Sequence, residues 1–170
     1  GEPIPPNFTP DPIYTEAYRD AAYSGTLADD ATDANDDEMT FSKVDGPTWL
    51  SVATNGVLSG TPADANVGTN EFTVQVAAVD GTNTATLIVE VFTPTFTSKP
   101  INEIDAYVDV TYSSTIADDV SYTDNDPMTF SLSPTNSWLH ISTSGVLSGI
   151  PGASDAGTNV FTVQVDATGG

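Results

Sequence analysis

Phe72-Thr73-Val74-Gln75-Val76 returns 89 residues later as Phe161-Thr162-Val163-Gln164-Val165. In each run three apolar side chains alternate with two polar ones, the period of a strand with one face buried. Matches at the same spacing continue on either side. Gly68-Thr69-Asn70 pairs with Gly157-Thr158-Asn159, Gly56-Val57-Leu58-Ser59-Gly60 with Gly145-Val146-Leu147-Ser148-Gly149, and Trp49-Leu50 with Trp138-Leu139. Met39-Thr40-Phe41-Ser42 pairs with Met128-Thr129-Phe130-Ser131, and Ala28-Asp29-Asp30 with Ala117-Asp118-Asp119. Upstream, Phe8-Thr9 and Pro12-Ile13 match Phe96-Thr97 and Pro100-Ile101 at a spacing of 88, so the second copy gains one residue. A repeat of this length is one structural unit used twice. The join near Phe92–Thr95 sets two domains, 1–93 and 94–170.

Within a copy, short alternating runs are separated by Gly, Pro, Asn and Asp at roughly ten-residue spacing, the pattern of an antiparallel β-sandwich. The strands expected in the first copy are 8–14, 21–27, 39–44, 49–53, 57–60, 69–79 and 84–92. The weaker alternation of Leu87, Val89 and Val91 with Ile88, Glu90 and Phe92 predicts burial on both faces of the last strand. Thr54-Asn55-Gly56 is a tight turn, because Asn and Gly accept positive φ. No helix longer than a turn is expected. The second copy contains no equivalent of Thr84–Phe92. A sandwich without that strand exposes an apolar groove and a row of unpaired backbone groups. Either the sequence is a fragment that ends before that strand, or strand addition from another subunit closes the groove and propagates head to tail into a filament. As a donor, Gly1–Phe8 is imperfect, since Pro3, Pro5 and Pro6 cannot donate to a ladder.

Composition excludes several functions. The chain has 170 residues, 24 acidic and 3 basic side chains, a formal charge of −21 and no cysteine. No disulfide or thiolate metal site can form. Three cations, Arg19, Lys43 and Lys99, cannot make a nucleic-acid patch or hold an anionic membrane. No apolar run nears the roughly 18 residues that span a bilayer, so membrane insertion is not expected. The acids are 18 Asp to 6 Glu, and Thr numbers 25. Asp belongs to loops and oxygen-donor metal sites, and Thr to strands.

The run Asp33-x-Asn35-Asp36-Asp37-x-Met39-Thr40-Phe41, then Pro47-x-Trp49-Leu50-Ser51, then Gly56-Val57-Leu58-Ser59-Gly60-Thr61-Pro62, then Gly68 and Phe72-Thr73-Val74 leading to Asp80-Gly81, resembles the dystroglycan-type cadherin-like domain. That group overlaps the Ig-type (He_PIG-like) domains of bacterial surface proteins. The resemblance covers nearly all of copy one and copy two as far as Ala167. It implies all-β, seven-stranded Greek-key sandwiches, the second lacking its last strand. It also implies an extracellular or cell-surface protein with roles in adhesion, attachment or spacing, often with calcium at domain junctions. Related modules occur beside polysaccharide-degrading catalytic domains. Copy two departs from the pattern: Tyr122 stands where copy one has Asp33, and Gly169 where it has Asp80.

Strand direction sorts the loops into two poles. One pole of copy one gathers Asp29, Asp30, Asp33, Asn35, Asp36, Asp37 and Asp80; the other carries Glu16, Asp20, Asp45, Asp64 and Asn66. The corresponding upper pole of copy two carries Asp118, Asp119, Asp124, Asn125 and Asp126. Like charges about 5 Å apart at an effective dielectric near 20 repel by roughly 3 kcal/mol before screening. Ca²⁺ offsets such repulsion, taking six to eight oxygens in loose geometry. The expected ligands are Asp33, Asn35, Asp37, Asp80, Asp124 and Asp126. The spacing Asp33-x-Asn35-x-Asp37 shares its start with an EF-hand loop but lacks that loop's Gly and final Glu. The competing reading is that these acids are simply solvated charge.

Catalysis is not expected. Carboxylate pairs at glycosidase spacing arise by chance in so acidic a chain, and His140 stands where copy one has Ser51 or Val52. Trp49 and Trp138 could stack on sugar rings, although their shared repeat position favours packing. Lys43 could form an isopeptide bond, but copy two has Leu132 there. Asn7-Phe8-Thr9 is a glycosylation sequon. The expected function is therefore a non-catalytic structural or adhesion module, a calcium-stabilised spacer or stalk. Its partners would be neighbouring copies of itself or adjacent domains. The alternative is a polysaccharide-binding appendage of a secreted polysaccharide-degrading enzyme.

Overall fold

The computed structural model describes residues 2–122 and 127–167, which fall into two compact units divided between Thr93 and Pro94. Strands dominate both, and the helical residues are single 3-10 turns of three residues.

The first unit is a sandwich. Its larger sheet runs in the order β2 (Ile13–Tyr18), β9 (Gly81–Phe92), β8 (Gly68–Ala78), β5 (Thr40–Asp45). Its smaller sheet runs β3 (Tyr23–Thr26), β7 (Val57–Gly60), β6 (Leu50–Val52). A separate ribbon pairs β1 (Asn7–Phe8) with β4 (Ala31–Thr32). The alternation read in the sequence points inward as expected. Phe72, Val74 and Val76 of β8 and Ala85, Leu87, Val89 and Val91 of β9 meet Leu50 and Leu58 of the other sheet in one core.

Three expectations need correction. The first strand is two strands, because Pro10 and Pro12 offer no N–H and interrupt the ladder between Phe8 and Ile13. The second of these pieces, β2, lies parallel to β9, with Ile13 opposite Leu87 and Tyr18 opposite Phe92. The sandwich is therefore not purely antiparallel. Third, β9 is buried on one face only: Ile88, Glu90 and Phe92 stay half-exposed. It also starts at Gly81, three residues before the expected Thr84, because a two-residue turn at Val79–Asp80 joins it directly to β8.

The second unit repeats much of the framework. The smaller sheet recurs as β11 (Tyr112–Thr115), β15 (Val146–Gly149), β14 (Leu139–Ile141). A ribbon recurs as β10 (Thr95–Phe96) with β12 (Val120–Ser121). The larger sheet is reduced to β13 (Met128–Ser133) with β16 (Thr162–Ala167). No strand corresponds to β9 among the described residues. Residues 101–106, the counterpart of β2, make no ladder either. Both absences have one physical cause, since the only ladder partner of β2 in the first unit is β9.

Candidate functional site

The acidic pole of the first unit is built by the loop between β4 and β5 together with the turn between β8 and β9. Asp33 organises the first of these. Its Oδ1 accepts the backbone N–H of Asn35 at 2.9 Å and of Asp37 at 3.0 Å, an Asx-type turn that replaces missing ladder partners. Its Oδ2 is buried and has no hydrogen-bond partner. Asn35 Oδ1 accepts the Ile4 N–H at 3.2 Å, so it is engaged by the N-terminal segment. Asp37 lies close enough to Asp80 for that carboxylate to disfavour its ionisation. The structure thus brings Asp33, Asp37 and Asp80 to one pole and turns Asn35 to another task. Asp124 and Asp126 lie outside the described residues. Among the described residues, no group of three or more His, Cys, Asp or Glu side chains is disposed to hold a metal ion.

Desolvation of its half-buried position, then the charges of Asp80 and Asp33, the hydrogen bond to Asp80 and the charge of Asp36, hold the Asp37 carboxyl above its ordinary 3.8. Asp30 is raised too, by desolvation and then by Asp29. Between the raised value and 3.8 the folded chain keeps a proton that the unfolded chain has released. Stability contributed by Asp37 is therefore complete below 3.8 and lost as pH rises through the folded value. Acidification from neutrality towards the ordinary carboxylate range should raise the melting temperature of the first unit, and Asp37→Asn should shrink that gain. A variant with the same acid-induced gain as the parent would contradict this account.

The other pole of the first unit is tied by charge. Arg19 Nη1 meets Asp64 Oδ1 at 2.8 Å and Nε meets Asp20 at 3.3 Å. Such exposed pairs contribute about 0–1 kcal/mol.

The tryptophans are structural fittings in both units. Trp49 Nε1–H donates to Asn70 Oδ1 at 3.0 Å, and Trp138 Nε1–H to Asn159 Oδ1 at 3.2 Å. Trp49 lies edge-on to Tyr23 and Phe72, and Trp138 to Tyr112 and Phe161. Each Asn then donates back to loop carbonyls, Asn70 to those of Asn66 and Gly68, Asn159 to those of Asp155 and Gly157. Sequence reasoning noted the repeated Trp and the repeated Asn separately. Their equal separation of 21 residues in both copies was the signal for a bond. Lys43 Nζ donates to the carbonyls of Pro47 and Leu50 at 2.9 and 2.8 Å; no Asp or Asn side chain is its partner in these bonds. In the second unit Leu132 replaces the lysine, and the Ser137 hydroxyl donates to the carbonyl of Leu139, the repeat equivalent of Leu50, at 3.1 Å. Asn7 is exposed on β1, and His140 is exposed on β14.

The second unit holds a groove of about 870 Å³ between β16 and residues 101–108, floored by Tyr112, Leu132, Leu139 and Leu147. Phe72, Val74 and Val76 are 1%, 0% and 0% exposed, whereas their equivalents Phe161, Val163 and Val165 are only half-buried. Ile104 and Tyr107 are each 68% exposed.

A family model described as Putative Ig domain matches residues 5–92 and again 93–170. The chain belongs to this family. Its two Ig-type domains are similar to parts of solved structures of two kinds. The endo-fucoidan hydrolase MfFcnA4 of glycoside hydrolase family 107 is 27% identical over 96% of this chain and 27% of its own, with a TM-score of 0.48. MfFcnA9 of the same hydrolase family is 24% identical over 97% of this chain and 32% of its own, with a TM-score of 0.49. Human protocadherin-24 EC1-2 is 15% identical over 95% of this chain and 85% of its own, with a TM-score of 0.45. The chain spans between a quarter and a third of the length of the hydrolases. A comparison with curated protein sequences finds no match. No helix among the described residues is long and apolar enough to cross a membrane.

The two Ig-type domains share their scaffold fittings. The Trp–Asn bond, the donor to the Leu50 or Leu139 carbonyl and the tight Gly–Trp approach recur in both domains. Asp33, Lys43 and His140 do not: their equivalents are Tyr122, Leu132 and Ser51.

Proposed function

We propose that the chain is a non-catalytic structural and adhesion module of an extracellular or cell-surface polypeptide, a spacer whose first domain is stiffened by calcium. The observation that carries the reading is that the packing fittings around Trp49 and Trp138 recur in both domains, while Asp33, Lys43 and His140 have no like counterpart. An enzyme concentrates desolvated acids, bases and nucleophiles in one cleft. Here the acids sit on half-exposed loops, and the large groove is lined mainly by apolar side chains. The alternative, a carbohydrate-binding appendage, needs an aromatic platform, and Trp49 and Trp138 are both engaged by neighbouring rings and by Asn.

The calcium part rests on the acidic pole. Asp33 Oδ2 is a buried acceptor without a partner, and the charges of Asp80 and Asp33 disfavour ionisation of Asp37. A divalent cation supplies charge to both, and oxygen donors on loops suit the loose coordination of Ca²⁺ better than the octahedral demand of Mg²⁺. The pole is not a preformed cage, so binding would draw the carboxylates together. The test is a thermal melt in chelator and in millimolar Ca²⁺. The first domain should melt several degrees higher with calcium. Asp37→Asn should raise the melt in chelator, by removing repulsion, and abolish the calcium increment. Identical melts in both conditions would remove calcium from the reading.

Head-to-tail assembly of copies would need a donor strand. The best alternating apolar runs among the described residues, on β8 and β9, are already buried in the first domain, and two chains of charge −21 repel. The geometry favours a spacer over a self-assembling filament subunit.

A further inference from the structure

We propose that residues 3–6 are a strap that holds the two loops of the acidic pole at a fixed spacing, so that the chain entering the first domain and the pole open and close as one. This goes beyond the reading of the pole as a calcium site and does not require it.

The ladder between β5 and β8 begins at the pair Thr40–Ala77, and that between β8 and β9 ends at Ala78–Gly81. Residues 33–39 and the turn at Val79–Asp80 therefore lie outside both ladders. Residues 3–6 span them. The Ile4 N–H donates to Asn35 Oδ1 at 3.2 Å on the first loop. Two residues on, the Pro6 carbonyl accepts the Nδ2–H of Asn83 at 3.0 Å, just past the turn. Between these bonds the Pro5 ring lies against Gly81, where an added Cβ would come within 3.1 Å of Pro5 Cγ and 3.2 Å of its Cβ. Pro6 is fully buried. The strap is anchored beyond it by β1, where Phe8 pairs with Ala31 and Asn7 with Thr32, immediately before Asp33. The composition suits the task. Proline fixes φ near about −65° and has little freedom to lose on docking. Of residues 3–6 only Ile4 carries a backbone N–H, and that N–H is bonded.

Charge gives the strap something to hold against. Asp33, Asp36 and Asp37 stand on the first loop and Asp80 on the turn, and the charges of the other three all act on Asp37. Residues 3–6 carry no charge of their own. Like charges push the two loops apart, while the two strap bonds and the Pro5–Gly81 contact draw them together. Docking of the strap thus depends on the spacing of the loops, and the spacing depends on the docked strap, the reciprocity of any two coupled sites. Freed of the strap, the loops should spread.

The chain contains no cysteine, so Ala34→Cys with Val79→Cys places one nitroxide label on each loop of the whole 170-residue protein without altering a charged group. Both positions are exposed, Val79 to 83%. Two isosteric variants that add the same charge then separate the strap from electrostatics. Asn35→Asp keeps an acceptor for the Ile4 N–H, whereas Asn83→Asp loses the donor to the Pro6 carbonyl. The expected result is a label-to-label distance as narrow in Asn35→Asp as in the parent, and longer and broader in Asn83→Asp. In the latter the Ile4 amide should exchange with solvent roughly threefold to tenfold faster, the worth of one hydrogen bond. Unchanged protection of the amides in the ribbon of β1 and β4 checks that the domain remains folded. Asn83→Ala removes the donor without adding charge; it should reproduce the widening and replaces the Asp variant should that one misfold. Unchanged spacing in both Asn83 variants would overturn the proposal, and so would faster Ile4 exchange at unchanged spacing. Greater widening by Asn35→Asp than by Asn83→Asp would make charge alone the cause and overturn it too. All of these measurements are made in chelator, so their failure and that of the calcium melts are separate results.

Discussion

Gly60→Ala is expected to cost the first domain about 3 kcal/mol or more, with Gly149→Ala doing the same to the second. Gly60 sits on the central strand of the smaller sheet, opposite both Tyr23 and Leu50. A Cβ there would collide with the Trp49 carbonyl oxygen and lie 3.0 Å from its carbon and 3.2 Å from Leu50 Cα. The obstructing atoms are backbone, held by ladders on both sides, and cannot swing away as a side-chain tip could. At Gly149 the obstacle is the Trp138 carbonyl, in the same relation. A domain of this size is stable by roughly 5–13 kcal/mol, and each kcal/mol shifts its melt by about 4–8 °C. The affected domain should therefore melt roughly 10–20 °C lower while the other is unchanged. Each domain carries one tryptophan, so chemical denaturation of single-Trp variants assigns the loss. A shift under about 3 °C would show that the ladders yield more readily than the contact implies.

Leu87→Ala should cost about 3–5 kcal/mol, the upper range for removing a fully buried aliphatic side chain. Leu87 is 0% exposed and lies at the middle of the four-stranded sheet, opposite Phe72 on one side and Ile13 on the other. Neither neighbour can move in to fill the space without breaking register. The comparison that sharpens this is Val74→Ala against Val163→Ala, the same residue in two copies. Val74 is 0% exposed and should cost about 2 kcal/mol; half-buried Val163, on the open groove, should cost well under 1. Equal costs at the two positions would mean that the groove is closed in solution.

Much of this was legible because the repeat reads the chain twice. Phe72–Val76 and Phe161–Val165 fixed strands, inward faces and the number of units, and the Gly-Val-Leu-Ser-Gly runs marked β7 and β15 within a residue. Pairing was not legible. Periodicity says which face of Ile13–Tyr18 is apolar, but not that its partner is Leu87–Phe92 running the same way. Nor does residue type reveal which oxygen is spoken for. Asp33 was read as a ligand by its spacing, and the structure spends one of its oxygens on closing a turn. Asn35 accepts the N–H of Ile4, 31 residues away, a pairing that no local spacing displays. The exchange of Lys43 for Ser137 was invisible because the shared object is a carbonyl, which the sequence does not display.

The parallel pairing of β2 with β9 decides how the first domain bears tension. A pull on the two ends drags β2 towards its start and β9 towards its finish. Because the strands run the same way, that motion slides one along the other, and the hydrogen bonds of the six-residue register from Ile13–Leu87 to Tyr18–Phe92 must rupture together. An antiparallel pair loaded from one end would open one bond at a time. The first domain should therefore resist a pull along the chain best at this one seam, and Val89→Pro, which removes a ladder N–H, should lower the force at which it opens.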